Sequence, residues 1–491
     1  MNSRIATALT AIAVLILAGC SANPMRQYDT ELKETVQLVK NGSVKQALDL
    51  LEKNNAPGMI EKDKDILYYF EKGELQTIDG KHADATVTWR KADEVVREWE
   101  DRIKTDPSKL AGDVGSYLIN DKTRRYEGQY YEKVMLRANL AMSSMMQGKY
   151  DDARVAMQKT YELETEIKNI REKEYDKLQE DAKNQKVSTT VKDMKGYPMA
   201  ELDAPEVTSL KNGYQNAFAH YLSGFFFSVR GEHSLAEAGY RLTSELSPGS
   251  KYARDALEGV YRRRVGPNES DVLFVVESGF APSWKSITIP IPIPRGRGGL
   301  GLIATPLSFP LIKSENKGFV PPAINVAKQK VPVETLSNLD AMARRHLRDE
   351  MPGILLRTVI RAVVKSVAQE QANKAGLVAG LAATAVSVVS EQADDRSWRT
   401  LPEKISIARA TLPQGKHTIE FQTEFGVHRT EVEIGDRFSI IPIRISGGAV
   451  FVGQPAIQGN MPEIVAQPEQ ATKAQPTKRQ PVKRPATKKA E

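Results

Sequence analysis

The residue types that most often carry catalysis are few and scattered in this sequence. It contains one cysteine, Cys20, and no Gly-x-Ser-x-Gly elbow that would expose a nucleophilic serine. No two histidines have the spacing that binds a metal on one helix face, and the six are His82, His220, His233, His346, His417 and His428. Residue types and spacing therefore predict neither an enzyme nor a metal site.

One glycine-rich stretch matches a cofactor motif only by its letters. Gly296-Arg-Gly-Gly-Leu-Gly301 has the spacing of a dinucleotide-binding loop. It follows a proline-studded segment and precedes Pro306 and Pro310, so no strand-to-helix turn is available to hold a pyrophosphate. We interpret it as a loop and expect no cofactor.

The positive charge of the chain lies mostly at its C-terminus. The formal net charge is +7, but residues 471–491 hold seven Lys or Arg and one acidic residue, a net of +6. Without that tail and Arg4 the rest of the chain is neutral. The distribution disfavours a basic nucleic-acid-binding body, and we expect no nucleic-acid partner.

The N-terminus has the pattern of a processed membrane-targeting signal. Arg4 precedes an apolar run over residues 6–17, too short to span a bilayer, and Leu17-Ala-Gly-Cys20 follows it. This motif resembles the lipobox of bacterial lipoproteins. The resemblance implies that the chain is cut before Cys20, that Cys20 receives palmitate-type acyl chains, and that the protein lies on the periplasmic face of the outer membrane. The alternative is an ordinary secretory signal with a free cysteine.

The first half of the chain has the periodicity of a helical repeat. Four glycines are each followed five residues later by alanine, and the pairs are Gly42/Ala47, Gly80/Ala85, Gly148/Ala153 and Gly231/Ala236. A large apolar residue follows each alanine by four positions, including Trp89 and Tyr240, and a small one precedes three of the glycines by seven, including Gly73 and Gly224. This register resembles the tetratricopeptide repeat, in which small residues let paired helices approach. A generic helical bundle is the alternative.

The resemblance implies a groove that binds a protein or peptide. Aromatic residues could line such a groove, namely Tyr68, Tyr69, Tyr130, Tyr131 and Phe225 to Phe227. Residues of this kind more often belong to the core, and we favour that interpretation. The highly charged stretch Glu162–Lys186 is typical of an exposed helix with i,i+4 ion pairs.

Strand patterns dominate the second half. Asp271–Glu277 predicts a buried strand, and the alternation of Ile and Pro over residues 289–294 predicts an edge strand or polyproline stretch. After Leu401 the chain shows short strands about ten residues apart, among them one in which Ile419, Phe421 and Phe425 share a buried face. These features predict a small antiparallel β-domain.

A helical insertion separates the two sets of strands. Glu334–Arg348 predicts one helix, and Pro352 could open a second. The uncharged run Ala375–Ser390 with its Gly-xxx-Gly pair could insert in a membrane, but we favour a buried hairpin because the run is short for a span. We expect Asp394, Asp395, Arg396 and Trp398 to join the long helix to the sheet through ion pairs and a buried indole.

The sequence thus predicts an α+β fold, a tetratricopeptide-like α-helical array followed by a small antiparallel β-domain with a helical insertion. Its segments are the signal peptide 1–19, lipidated tether 20–30, helical repeats 31–265, strands with a Pro/Gly-rich loop 266–333, helical insertion 334–397, β-rich domain 398–454 and disordered basic tail 455–491.

The leading hypothesis for function is a lipid-anchored periplasmic scaffold that binds another envelope protein or peptide. One alternative is a cell-wall or polysaccharide tether that contacts peptidoglycan through the β-domain and tail. The other is a membrane-associated export or assembly component that uses the Ala375–Ser390 run.

Overall fold

The described part of the chain has helices in its first half and strands in its second. The structure is a computed structural model, and it describes residues 28–55, 64–105, 126–184, 187, 189–294, 302–314, 318–375 and 393–454. The α+β fold class is confirmed. The signal peptide, Cys20, the Gly296–Gly301 loop, the run from 376 to 390 and the tail 455–491 lie outside the described residues.

Ten α-helices precede the first strand within these ranges. They are α1 (Tyr28–Lys40), α2 (Val44–Asn54), α3 (Ile66–Ile78), α4 (His82–Thr105), α5 (Tyr130–Met146), α6 (Tyr150–Asn184), α7 (Pro205–Thr208), α8 (Ala217–Val229), α9 (His233–Leu246) and α10 (Lys251–Gly259). Four pairs of consecutive helices are joined by three-residue turns and pack on one another, namely α1/α2, α3/α4, α5/α6 and α8/α9.

The turn inside each pair depends on glycine. All four turn glycines have φ between +69° and +80°, a conformation that residues with a Cβ seldom adopt, and they are Gly42, Gly80, Gly148 and Gly231. The alanines that follow them by five positions are completely buried in the second helix of each pair, and they are Ala47, Ala85, Ala153 and Ala236. The repeating register of the sequence therefore corresponds to a repeating structural unit.

Two of the helix pairs cross where a glycine faces an aromatic ring. A Cβ added at Gly73 would lie 2.0 Å from Nε1 of Trp89, and one added at Gly224 would lie 2.6 Å from Cδ1 of Tyr240. These distances are shorter than any van der Waals contact, so only glycine allows the backbones to approach this closely. All four residues belong to the packing register predicted from the sequence.

The strands form two main sheets and a ribbon. The first sheet has the order β11-β10-β1-β7-β6, and the second has the order β5-β4-β8-β9. A separate ribbon pairs β2 with β3. The strands are β1 (Glu269–Ser278), β2 (Trp284–Pro294), β3 (Leu302–Ile312), β4 (Ala323–Val326), β5 (Gln329–Pro332), β6 (Glu334–Asn338), β7 (Lys404–Pro413), β8 (Gly415–Thr423), β9 (Gly426–Ile434), β10 (Phe438–Ser446) and β11 (Ala449–Val452). All pairings are antiparallel except that of β1 with β10, which is parallel.

Strand β1 contributes to two separate cores, because its side chains alternate between the faces of the sheet. Leu273 and Val275 pack with the helices of the first half. Val272, Phe274 and Val276 pack against the second sheet. The first of these cores is therefore shared by the helical array and the β-rich half. All described residues belong to a single compact unit.

The proline-rich segment forms the two-stranded ribbon. Pro290 pairs with Pro306 across it, in a place where neither residue has an N–H to donate. Both strands of a two-stranded ribbon are edges, so the prediction of an edge strand is confirmed.

Three details of the predicted elements are wrong. Glu334–Asn338 forms strand β6 instead of the start of a helix, and α11 (Leu339–Ala375) runs through Pro352 without a break. The buried residues Met351 and Leu355 continue the apolar face of α11 past the proline, so packing outweighs the lost helical hydrogen bond. Strand β8 ends at Thr423, and Phe425 lies in the following turn with 73% of its surface exposed.

The charged stretch Glu162–Lys186 differs in part from its prediction. It is helical as far as Asn184 but continues α6 of the third pair, and Leu163, Ile167 and Leu178 are buried. Helix α6 packs on α11, and Arg171 pairs with Glu350 at 2.5 Å. The stretch is therefore part of the packed structure and not a fully exposed helix.

The contact between Gly73 and Trp89 gives a test by double-mutant cycle. We expect Gly73→Ala to lower the free energy of unfolding by about 1–3 kcal/mol, because the new methyl overlaps the indole. Adding Trp89→Leu should recover part of this loss. The control is Gly80→Ala, which costs about 1 kcal/mol through its positive φ alone and has no atom near the new methyl. Urea denaturation measures the cycle and the control variant, and additive effects at Gly73 and Trp89 would contradict the predicted contact.

Candidate functional site

The face of the helical array that a partner peptide was expected to occupy is turned toward the second half of the chain. We call it the inner face, and it is formed by α3, α5 and α8, the first helices of three pairs. Phe70 and Glu71 of α3, Glu132 of α5 and Phe218 of α8 lie on it, and all four are buried. The main-chain N–H of Phe218 donates to the Ser337 hydroxyl of β6 at 3.0 Å.

An extended stretch of the chain itself occupies part of the inner face. We call residues Ala393–Glu403 the docked segment, and they precede β7 without forming a helix or a strand. The N–H of Trp398 donates to Oε1 of Glu132 at 2.7 Å. The N–H groups of Arg399 and Thr400 donate to the two oxygens of Glu71 at 2.6 and 3.0 Å. Two buried carboxylates thus satisfy three consecutive main-chain donors.

Trp398 anchors the docked segment in an aromatic pocket. Its ring is completely buried and stacks on Phe70, with centroids 4.5 Å apart and planes 13° apart. The ring of Trp89 meets it edge-on at 6.2 Å. The indole Nε1–H donates to the Thr400 hydroxyl at 3.2 Å. Because Trp89 also fills the space beside Gly73, the pocket depends on the repeat packing itself.

Two arginines of the docked segment form ion pairs, one within the segment and one to the helical array. Arg396 makes two hydrogen bonds to Asp394 at 2.8 and 2.7 Å and lies over the ring of Tyr126. Arg399 pairs with Asp29 of α1. The predicted buried indole is present, but it packs on the helical array and does not join the long helix to the sheet. The pair of Arg396 with Asp394 lies within the docked segment and so does not make the predicted connection.

Burial changes the acid–base properties of this site. Burial raises the pKa of Glu71 to about 7, although the Thr400 hydroxyl and the main-chain donors favour the charged form. Burial also raises the pKa of Glu132. Nearby, burial and the charge of Glu277 raise the pKa of Glu74 well above its ordinary value. The site therefore concentrates carboxyl groups that retain protons more strongly than exposed ones.

A second buried cluster joins the last helix pair to the first sheet. Arg409 of β7 makes two hydrogen bonds to Asp271 of β1, at 3.0 and 2.6 Å. Its Nη1 donates to the hydroxyl of Tyr240, one of the repeat-packing residues, at 3.0 Å. Arg409 holds the pKa of Asp271 below its ordinary value even though the carboxylate is buried. Tyr240, whose ring packs on Gly224, thus also accepts a hydrogen bond from the arginine of this ion pair.

The aromatic residues that could have lined an open groove belong mostly to the core. Tyr68, Tyr131 and the three residues Phe225 to Phe227 are buried, and Tyr69 and Tyr130 are partly buried. Sequence reasoning missed Glu71 and Glu132 as functional residues. A signal for Glu71 exists, because Leu67, Glu71, Glu74 and Ile78 follow one another at helical spacing and place two acids on an apolar face.

The described residues contain no group of three or more His, Cys, Asp or Glu that could hold a metal ion. Among the described helices, none combines the length and the apolar character needed to cross a membrane.

Comparison with known proteins gives little beyond this geometry. Neither a protein-family model nor a curated protein matches the chain. Among solved structures, the chain is similar to the TPR2AB domain of yeast Sti1 in complex with pHSP90, at 16% identity over 47% of this chain and 82% of that one, with a TM-score of 0.19. It is also similar to the C-terminal part of a TPR repeat-containing protein from Cytophaga hutchinsonii, at 16% identity over 52% and 95%, with a TM-score of 0.14. TM-scores this low carry no argument about fold or partners.

Substitution of Trp398 tests how much this anchor of the docked segment contributes to stability. We expect Trp398→Ala to lower the free energy of unfolding by about 3–5 kcal/mol, because it leaves a cavity between Phe70 and Trp89. Trp398→Phe should cost less, since it keeps the stacking. Phe425→Ala, at an exposed ring, is the control and should change stability by about 0.5 kcal/mol or less. Urea denaturation followed by circular dichroism measures the free energy of unfolding of each variant. Equal effects of Trp398→Ala and Phe425→Ala would refute the anchoring role.

The raised pKa of Glu71 predicts the direction in which stability changes with pH. The folded chain holds a proton on Glu71 up to about pH 7, whereas the unfolded chain releases it near the ordinary value of 4.5. The folded state binds more protons in this window, so the free energy of unfolding falls as pH rises from 4.5 to about 7. The contribution of Glu71 is on the order of 3 kcal/mol.

Glu71→Gln should flatten this part of the profile in urea titrations between pH 4 and 8. The raised pKa values of Glu132 and Glu74 leave a smaller slope of the same sign. An unchanged slope in the variant would show that Glu71 is ionised throughout the folded state.

Proposed function

We propose that this chain is a lipid-anchored periplasmic scaffold that binds another envelope protein through the outer face of its helical array. The role is one of binding and not of catalysis. Support for the lipid anchor comes from Leu17-Ala-Gly-Cys20 after a short apolar run. Helix α1 begins at Tyr28, eight residues after Cys20, and eight extended residues reach about 28 Å at most. Such a tether would hold the array close to the membrane.

We place partner binding on the outer face because the inner face is already occupied. The docked segment fills the place beside Phe70, Glu71 and Glu132 where a partner peptide would bind, and the first sheet packs on neighbouring parts of the same helices. A partner that found this face filled would have to displace a buried tryptophan. We therefore assign partner binding to the second helices of the pairs.

Exposed apolar side chains recur on these second helices. Val87 on α4, Val155 on α6 and Leu235 on α9 are 60, 48 and 40% exposed. We call these three residues the outer ridge. Val87 and Val155 have the same position in the repeat, each two residues after its buried alanine. One exposed apolar residue alone is ordinary, and our assignment of an interaction surface is based on their recurrence on the second helices of three pairs.

Ion pairs connect the helices that carry the outer ridge. Arg90 of α4 pairs with Asp152 of α6 at 2.6 Å. Arg154 of α6 pairs with Glu232, the residue before α9, at 2.5 Å. Each ridge residue lies within about one helical turn of one of these pairs, so the apolar side chains are bordered by charges. An apolar centre with a charged rim is the usual composition of a protein–protein interface.

Photo-cross-linking in the native envelope tests this proposal. A photoreactive residue at Val155 should give one discrete adduct with another envelope protein, and Val87→Glu in the same chain should strongly reduce its yield. The same probe at Phe425, an exposed apolar position on the β8–β9 turn, is the control and should not give that adduct. Adducts that form equally from Phe425, or that persist with Val87→Glu, would exclude the outer ridge as the binding surface.

The anchor is tested separately in the same strains. Cys20→Ala should move the chain from the outer-membrane fraction to the soluble periplasm. If its fractionation does not change, the lipid anchor is wrong, whatever the outcome of cross-linking.

A further inference from the structure

A cavity of about 280 Å³ lies next to the start of the docked segment. The end of α4, the start of α5, the middle of α6 and α11, and the β2–β3 ribbon surround it. Four aromatic side chains contribute to its wall, namely Trp99, Tyr126, Tyr130 and Trp284. It is nearly twice as large as a cavity of roughly 150 Å³ that holds benzene, so it has room for a small ring with substituents.

A buried lysine lines this cavity. Lys133 of α5 is 2% exposed, and its Nζ lies 3.3 Å from the centroid of the Trp99 ring and 5.3 Å from that of Tyr130. Across the described ranges no carboxylate lies within 4.0 Å of this ammonium and no oxygen accepts a hydrogen bond from it. Contact with a ring face offsets only part of the cost of removing an ammonium from water.

The other charged groups on the described wall have ion-pair partners. The pairs are Glu174 with Arg357, Glu350 with Arg171, Asp394 with Arg396, and Glu127 with Arg102. His346 adds no charge, because burial lowers its pKa to about 3, and its Nε2 lies 2.9 Å from Oε1 of Gln129. Lys133 is therefore the one cation of the described wall that has no carboxylate at ion-pair distance, although Glu127, Glu100 and Glu132 are near enough to raise its pKa against the larger effect of burial.

We propose that the cavity binds a small molecule with one carboxylate on a flat apolar body, the carboxylate at the Lys133 ammonium and the body against the aromatic wall. A single negative charge matches the single unpaired cation. A phosphate dianion fits less well, because Glu127, Glu174 and Glu350 also line the cavity and would repel a second negative charge. The site is independent of the scaffold role, since none of its residues belongs to the outer ridge.

The desolvation of Lys133 agrees with such a ligand. Burial lowers its pKa to about 7, so the charged amine is costly in the empty cavity. A carboxylate at hydrogen-bond distance would stabilise the charged form, and charge-assisted hydrogen bonds of this kind are roughly twice as strong as neutral ones.

Benzoate and its neutral isostere benzamide are the probes for this site in the full-length protein. We expect the unmodified protein to bind benzoate at least about tenfold more tightly than benzamide, measured by ligand-observed NMR titration. Lys133→Met should remove this preference while benzamide still binds, and Lys133→Arg should retain most of it. Equal binding of the two probes, no binding of either, or an unchanged preference in Lys133→Met would overturn the proposal.

A second measurement needs no variant and so does not depend on whether Lys133→Met folds. Reductive methylation of the native protein, read by peptide mass spectrometry, should label Lys133 at neutral pH. Saturating benzoate should slow this labelling several-fold, and benzamide should not. Lys81, an exposed lysine far along α3/α4 from the cavity, is the internal control, and labelling of Lys133 that benzoate leaves unchanged would also overturn the proposal.

Discussion

Two buried glutamates determine how the halves of this protein fit together. Glu71 and Glu132 accept hydrogen bonds from the main-chain N–H groups of Trp398, Arg399 and Thr400, residues that follow them by 266 to 329 positions in the chain. Without these acceptors, three consecutive buried donors would be unsatisfied, each at a cost of about 1–3 kcal/mol. The position of Trp398 between Phe70 and Trp89, and with it the filling of the inner face, depends on these bonds.

The arrangement explains how a repeat array becomes part of a larger core. Within each pair the two helices pack on one another, through Gly73 with Trp89 and Gly224 with Tyr240. The inner face of the array packs on the first sheet and the docked segment. Tyr240 also meets the Arg409–Asp271 pair, so repeat packing and sheet attachment share a side chain. The inner face is therefore covered by other parts of the same chain. Within the described residues, the outer ridge and the Lys133 cavity are the two surfaces that we propose for other molecules.

Predictions that depended on local geometry agreed best with the structure. Turn glycines, the buried strand around Phe274 and the proline-rich edge strand all follow from backbone rules that act within a few residues. The errors arose where packing outweighed a local rule. Pro352 stays inside a helix because the apolar face of α11 continues past it, and Phe425 keeps the alternation of β8 by sequence although the strand has already ended.

The sequence alone determined the fold class and the register of the helix pairs, because both depend on residue type at short spacing. Lipid attachment at Cys20 is a prediction from the same kind of local pattern. Tertiary structure decided which buried charges meet. Glu71 accepts a hydrogen bond from the main-chain N–H of Arg399, and Asp271 pairs with Arg409. Lys133 lines a cavity, and within the described chain no carboxylate lies at ion-pair distance from it. Helical periodicity shows that an acid or a lysine lies on an apolar face. The identity of its partner depends on how elements hundreds of residues apart are packed, and no local pattern contains that information.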